Sequence, residues 1–153
     1  MVDHATLRDL ALEIAREVAP EIGRRAGRVN ASSTKSTVTD LVTETDRWSE
    51  AQIVSRILDV RPGDSILGEE GTEVEGTSDV RWVIDPIDGT TDFVYGHPGF
   101  SVSIGVEVDS EPVAGVVLDP LLGDEFAAAV GHGTTRNGQL VRVSNTTDLA
   151  AAL

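Results

Sequence analysis

Two aspartates, a glycine and two threonines in close succession are the part of this sequence best suited to chemistry. They lie in the segment WVIDPIDGTTDF at residues 82–93, whose first three residues are apolar and predict a buried strand that ends near Asp85 and Asp88. Bare carboxylates are costly in a dry site, and a hard cation relieves that cost. Residues 89–91 predict a tight bend whose backbone N–H groups suit an anion at a helix start. The segment therefore predicts a metal-assisted phosphate site; the alternative is a β-turn that carries solvated acids.

A second pair of acids follows the preceding predicted strand. Glu69 and Glu70 stand between two glycines at the end of that strand. If the strand lies beside the one that leads into Asp85, then Glu69 reaches the same sheet edge as Asp85 and Asp88. Three carboxylates and a backbone carbonyl form an oxygen-only environment, which suits Mg²⁺ better than Zn²⁺.

The elements that must position these residues are two helices followed by a series of strands. Apolar residues at helical spacing predict an amphipathic helix over 6–25, kinked or divided at Pro20. A short strand at 38–42 and a second helix, capped by Thr45 or Asp46 and running to about residue 60, come next. Further strands are predicted at residues 64–68, 80–85, 100–108, 113–118, 125–130, 134–136 and 140–143. The pattern predicts an α+β fold in which two helices pack on a largely antiparallel sheet.

Composition limits the class of protein and its partners. The chain has 153 residues, enough for one domain with a core, and 40% of them are hydrophobic. It has no apolar run long enough to cross a bilayer and no signal-peptide pattern at its N-terminus. It has no cysteine, which is compatible with a reducing, cytoplasmic location. The net charge of −14 argues against nucleic acid or an anionic membrane as a direct partner.

Three motifs together resemble the N-terminal signatures of the inositol monophosphatase family, whose members are Mg²⁺-dependent, lithium-sensitive phosphomonoesterases. The motifs are D-P-I-D-G-T-T at 85–91, G-E-E at 68–70 and D-x-V-T-x-x-D at 40–46. The resemblance covers essentially the whole chain and implies the N-terminal half of the family's αβαβα sandwich. It implies one metal- and phosphate-binding domain at residues 1–153, with the family's C-terminal α/β domain absent. It further implies a homodimer in the full-length form and impaired activity in this shorter chain.

The resemblance also implies a role for individual residues. The metal ligands would be Glu69, Asp85, Asp88 and the carbonyl of Ile87. The substrate and its phosphate would be bound by Lys35, Glu69, Ile87, Asp88, Gly89, Thr90 and Thr91. The catalytic residues would be Asp46 and Thr90, which orient and activate the attacking water, and Glu70, which supports them from outside the ring of ligands.

The expected substrate is a small sugar or polyol phosphate such as myo-inositol 1-phosphate, hydrolysed by a metal-activated water. Histidinol phosphate and a phosphoadenosine nucleotide are the alternative substrates within the same superfamily. The alternative in which the protein is not an enzyme is a non-catalytic, acidic dimerising module. One departure from the family pattern is Asp92, which stands where the family often has Asn and adds negative charge beside the site.

Overall fold

Two long helices precede one mixed sheet, and a short third helix lies between two of its strands. The computed structural model of the protein describes residues 2–28 and 38–151, with side chains for 2–28 and 44–151. The described elements are α1 (His4–Arg25), α2 (Val38–Val60), β1 (Ser65–Gly68), β2 (Glu73–Val74), β3 (Val80–Asp88), α3 (Thr90–Tyr95), β4 (Ser101–Val108), β5 (Glu111–Asp119), β6 (Asp124–Ala129), β7 (Gly133–Arg136), β8 (Gln139–Val141) and a 3-10 turn (Leu149–Ala151).

The strands form a single sheet in the order β2-β1-β3-β4-β5-β6-β7-β8. Only β1 and β3 are parallel neighbours, and every other described pairing is antiparallel. The predicted α+β class and the antiparallel meander of the second half are confirmed. The parallel pair matters most for the site, because β1 and β3 end at the same edge of the sheet.

Helix α1 forms because its apolar side chains recur at helical spacing and meet the sheet. Asp3 caps its N-terminus by accepting a hydrogen bond from the Ala5 backbone N–H at 3.4 Å. Its buried side chains are Leu7, Ala11, Ile14, Ala15, Val18, Ala19 and Ile22. The predicted division at Pro20 is wrong, since α1 continues to Arg25. Pro20 is exposed, so the carbonyl that loses its N–H partner lies on the solvent side of the helix.

Helix α2 begins earlier than the sequence pattern predicts. The expected strand at 38–42 is wrong because α2 already starts at Val38. Thr45 and Asp46 consequently lie two turns inside the helix, and neither is its cap. Local preferences of β-branched residues are worth less than about 1 kcal/mol per residue, so the packing of a long helix overrides them.

The core lies between the helices and one face of the sheet. Its largest fully buried side chains include Trp82, Phe93 and Phe100, which anchor β3, α3 and the start of β4. The opposite face of the sheet is open, and its partly exposed apolar side chains are Leu67, Val83, Val117 and Phe126. Among the described residues, no helix combines the length and apolarity needed to cross a bilayer.

Candidate metal and phosphate site

The ends of β1 and β3 bring two acidic side chains together. Gly68 pairs with Ile84 at the end of the parallel ladder, and the Glu69 N–H donates to the Ile84 carbonyl at 3.0 Å. Glu69 and Asp85 are therefore the next residues along adjacent strands, close enough that the Glu69 side chain raises the pKa of Asp85. The prediction that the two strands are neighbours with acids at one edge is confirmed.

An irregularity in β3 accounts for the spacing of its two aspartates. Asp85 pairs with Ser103 of β4 and Asp88 pairs with Ser101, so β3 contains one more residue than its partner between these pairs. Three residues of a regular strand would place the two aspartates on opposite faces, and a one-residue bulge returns them to the same face. Pro86 suits this position because a bulge does not need its missing N–H.

The Asp85 carboxyl group is held in an electrostatically unfavourable place. Burial, the neighbouring Glu69 carboxyl group and the charge of Asp88 together raise the pKa of Asp85 to about 7. Its Oδ1 atom is buried and has no hydrogen-bond partner. An unpaired carboxylate oxygen beside two further acids fits a hard cation, whose ligands are oxygens.

The described carboxylates do not by themselves form a complete metal site. In the part of the chain whose side chains are described, no three His, Cys, Asp or Glu side chains converge closely enough to hold a metal ion. Glu69 and Asp88 are exposed, whereas Asp85 is half-buried. The structure thus brings together the pair Glu69 and Asp85, and it places the charge of Asp88 within range of Asp85.

Asp46 reaches the same acidic region from α2. It is buried, and burial raises its pKa to about 7, with nearby carboxylates adding to the shift. Those carboxylates belong to Glu70, Asp85, Glu69 and Glu50. Among the residues of α2 whose side chains are described, the buried ones over 45–50 are polar: Thr45, Asp46, Ser49 and Glu50.

Glu50 is a site residue that the sequence pattern did not identify. Its buried carboxylate accepts hydrogen bonds from the backbone N–H groups of Glu70, at 2.9 Å, and Thr72, at 3.1 Å. A signal was present, because Glu50 lies four residues after Asp46 and therefore on the same face of a helix. Sequence periodicity did not identify it, because that method assigns buried faces from hydrophobic residues alone.

The bend after β3 depends on Gly89. Its backbone has φ of 87°, and a Cβ there would lie 2.5 Å from the Gly99 carbonyl oxygen, so no larger residue fits. Helix α3 starts directly after it, and the Thr90 hydroxyl donates to the Ile87 carbonyl at 3.4 Å. The rings of Phe93 and Phe100 pack edge to face below the bend, with centroids 5.4 Å apart.

The predicted residues therefore divide into three groups. Glu69, Glu70, Asp85, Asp88 and Asp46 lie near one another at the ends of β1 and β3. Ile87, Gly89, Thr90 and Thr91 form the adjoining bend and the first turn of α3. Lys35 lies outside the described residues. The pairing of Asp46 with Thr90 stays a prediction, as do the roles of all these residues.

Comparisons with known proteins agree on one family. The model of the inositol monophosphatase family matches residues 3–153. The chain is 40% identical over 149 residues to the Nus factor SuhB of Pseudomonas aeruginosa, covering 95% of this chain and 55% of that protein. It is 45% identical over 131 residues to the inositol-1-monophosphatase of Mycobacterium leprae, covering 78% of this chain and 44% of that protein.

The solved structures agree with the sequence comparisons. Mycobacterium tuberculosis SuhB superposes with a TM-score of 0.81 and 36% identity, covering 97% of this chain and 56% of that one. Inositol monophosphatase II of Staphylococcus aureus superposes with a TM-score of 0.79 and 32% sequence identity, covering 94% of this chain and 54% of that one. The chain spans about half the length of the curated relatives it matches. On its sequence and its fold, the chain belongs to the inositol monophosphatase family.

Proposed function

We propose that the protein is a Mg²⁺-dependent phosphomonoesterase acting on a small phosphorylated polyol or sugar. The observation that carries the proposal is the pair Glu69 and Asp85, with a buried, unpaired carboxylate oxygen, one bend away from the Gly-Thr-Thr segment. Membership of the inositol monophosphatase family supports both the metal dependence and the reaction class.

The acidic residues fit the metal that the family implies. Glu69, Asp85, Asp88 and the Ile87 carbonyl would hold Mg²⁺, and all four supply the oxygen atoms that this ion prefers. When bound, Mg²⁺ supplies positive charge that lowers the pKa of an attacking water and stabilises the leaving oxygen. Asp88 is exposed, so a change of its rotamer toward Asp85 has little packing to disturb.

The remaining residues would bind the phosphate and handle the proton. The backbone N–H groups and hydroxyls of Gly89, Thr90 and Thr91 would hold the phosphate, with Lys35 nearby. Asp46 would accept the proton of the attacking water through the Thr90 hydroxyl. This role suits Asp46 because a buried carboxylate beside the site is a stronger base than an exposed one. Glu70 would help to position Asp46 and Thr90 without binding the metal itself.

The substrate and cellular setting are part of the proposal. An open cavity of about 500 Å³ adjoins Glu69 and Asp85 on the uncovered face of the sheet, where Leu67 and Val83 also line it. We favour myo-inositol 1-phosphate, with histidinol phosphate and a phosphoadenosine nucleotide as alternatives. We further propose a cytoplasmic location, a homodimer in the full-length form, and no nucleic-acid or membrane partner.

The test is release of inorganic phosphate from the three candidate substrates with and without Mg²⁺. We expect the wild-type chain to release phosphate weakly and only with Mg²⁺, and Asp46→Asn and Asp85→Asn to abolish release. Asp109→Asn is the matched control, because Asp109 is exposed at the far end of β4 and its φ of 52° suits Asn. Phosphate release that survives EDTA or Asp85→Asn would contradict the proposal.

The second candidate is a non-catalytic role, favoured by one specific comparison. The relative that matches 95% of this chain carries the name Nus factor SuhB. Should the chain release no phosphate, calorimetry with inorganic phosphate distinguishes the two. Mg²⁺-dependent phosphate binding that Asp85→Asn removes would indicate an impaired phosphatase, and absence of both metal and phosphate binding would favour the non-catalytic role.

A further inference from the structure

We infer that Glu50 is a positioning residue that holds the turn at residues 68–72 and thereby sets the affinity of the site for its metal. The inference rests on the proposed function, because it concerns the site in which Glu69 would be a ligand. Glu50 lies on α2, one helical turn after Asp46, and its side chain reaches the turn between β1 and β2.

The Glu50 carboxylate binds the turn through both of its oxygens. One oxygen accepts from the Glu70 N–H at 2.9 Å, and the other accepts from the Thr72 N–H at 3.1 Å. The turn closes on itself as well, because the Gly68 N–H donates to the Thr72 carbonyl at 2.8 Å. Two charge-assisted hydrogen bonds from alternate amides fix the backbone on both sides of Gly71.

The fit between Glu50 and the turn leaves no spare room. A Cβ on Gly68 would lie 2.3 Å from one Glu50 carboxylate oxygen, so the glycine allows the helix side chain to approach the strand end. Glu50 itself is 2% exposed. A buried carboxylate is costly unless hydrogen bonds compensate it, and the two amides of the turn provide that compensation.

Metal affinity depends on Glu50 because the turn carries the Glu69 side chain. The Glu69 N–H is bonded to β3 on one side, and the next amide in the chain is bonded to Glu50 on the other. These two bonds fix the backbone on both sides of the Glu69 side chain, whose Cα lies beside the end of β3 that carries Asp85. Losing a group that orients a ligand lowers metal affinity about 10- to 100-fold.

The first measurement needs no metal. In metal-free protein, amide exchange followed by NMR reports directly on the two N–H groups that Glu50 accepts. We expect Glu50→Gln, which keeps the shape and one acceptor, to speed exchange of the Glu70 or Thr72 amide by about tenfold or more. We expect the amides of β5 to be unchanged. Wild-type exchange at both Glu70 and Thr72 would overturn the inference.

The second measurement is Mn²⁺ binding, followed by the EPR signal of the free ion. We expect Glu50→Gln to weaken binding about tenfold and Glu50→Ala to weaken it toward 100-fold. Ile14→Val controls for lost stability, because Ile14 is buried in α1 away from the turn and should leave Mn²⁺ affinity unchanged. If Glu50 acted only by its charge, the two substitutions would weaken binding equally, and the inference would fail.

The outcomes separate this inference from the proposed function. If Asp85→Asn loses Mn²⁺ but Glu50→Gln binds it like wild type, the metal site stands and the positioning role is overturned. If wild type and Asp85→Asn bind Mn²⁺ equally, the proposed function fails, and the assigned effect of Glu50 on the metal is overturned with it. Loss of both amide protection and affinity in Glu50→Gln supports the inference.

Discussion

At the scale of single residues, the unusual feature is that two aspartates have carboxyl groups that titrate near neutral pH. Burial and the surrounding negative charges raise the pKa of Asp46 and of Asp85 to about 7. Each shift means that the folded protein prefers the protonated form, so ionising these groups costs stability. A divalent cation relieves the same repulsion, so the residues that destabilise the metal-free protein are those that favour metal binding.

The pKa shifts predict how the stability of the metal-free protein depends on pH. Both pKa values lie above the ordinary 3.8 of aspartate. The protonated groups therefore contribute their full stability below pH 3.8, and this stability is lost as pH rises through 7. We expect the free energy of unfolding in EDTA to fall on the order of 2–4 kcal/mol between pH 5 and 8. Urea unfolding at several pH values measures it.

Two comparisons check the origin of that dependence. Asp46→Asn and Asp85→Asn should each flatten the curve between pH 5 and 8, because Asn carries no titrating proton. Asp109→Asn, at an exposed turn, should leave the curve as in wild type. A wild-type curve that is flat over this range, or that rises with pH, would show that these two groups titrate normally.

At the scale of elements, strand β3 and its bend carry the site. The bulge returns Asp88 to the face of Asp85, and Gly89 then turns the chain into α3. Much of this was predictable, because apolar residues 82–84 indicate the strand and Gly-Thr-Thr indicates the bend. The register shift was not predictable, since it depends on the pairing with β4 and not on β3 alone.

Gly89 allows a direct test of the bend. We expect Gly89→Ala to destabilise the protein by more than the roughly 1–3 kcal/mol of a strained backbone, because its Cβ would also clash with the Gly99 carbonyl. Gly123→Ala is the control: its φ of 69° is also unfavourable to alanine, but no atom lies within 4 Å of the added Cβ. Equal losses in thermal unfolding would mean that the close approach at Gly89 is unimportant.

A buried hydrogen-bond network ties the end of α2 to β3. The Asp64 carboxylate accepts from Arg61 at 2.7 Å, from Ser78 at 2.7 Å and from the Trp82 indole at 2.9 Å. Although burial opposes ionisation, these bonds hold the pKa of Asp64 below its ordinary 3.8. We expect Asp64→Asn to cost about 2–4 kcal/mol near neutral pH.

The stability lost in Asp64→Asn should depend on pH if the ionised network stabilises the fold, and should not if Asp64 contributes only packing. The pKa of Asp64 is lower in the folded protein than in the unfolded chain. The ionised carboxylate therefore stabilises the fold above the ordinary pKa, and this stabilisation is lost as pH falls through the lowered pKa. The difference between wild type and Asp64→Asn in urea unfolding should therefore narrow below about pH 4. Asp124→Asn, which breaks an exposed pair with Arg136, should have little effect. A loss that is independent of pH would contradict the ionic role.

Helix α2 marks the limit of prediction from sequence. Its existence was predicted from a capping residue and helical spacing, but its start and its buried polar side chains were not. Val38 and Val42 favour a strand locally, and only packing of the whole helix decides otherwise. Its buried polar side chains, Asp46 and Glu50 among them, make sense only with the turn and strand ends that they meet. Sequence periodicity assigns buried faces by hydrophobicity and therefore misses such a surface.

At the scale of the whole molecule, charge is the dominant property. A net charge of −14 on 153 residues produces self-repulsion that screening by salt reduces. Part of this charge is concentrated at the ends of β1 and β3, where Asp46, Glu69, Asp85 and Asp88 influence one another. Simple salt and Mg²⁺ should therefore stabilise the protein by different routes.

Thermal unfolding at matched ionic strength separates these two routes. NaCl should raise the melting temperature by screening alone. MgCl₂ at ten times its dissociation constant should add about 1.4 kcal/mol, or roughly 3–6 °C for a chain of this size. Asp85→Asn should lose the additional increment and keep the screening effect. Identical shifts in NaCl and MgCl₂ for wild type would indicate that Mg²⁺ acts only as a screening ion.

The most direct test of the metal site is calorimetric titration of the metal-free chain with Mg²⁺ at pH 7.5, wild type beside Asp85→Asn. We predict saturable binding with a dissociation constant of millimolar or tighter, weakened about tenfold or more by removing this ligand. Asp109→Asn should bind as wild type does. Absence of saturable binding to wild type, or equal binding to Asp85→Asn, would contradict a metal site at the ends of β1 and β3.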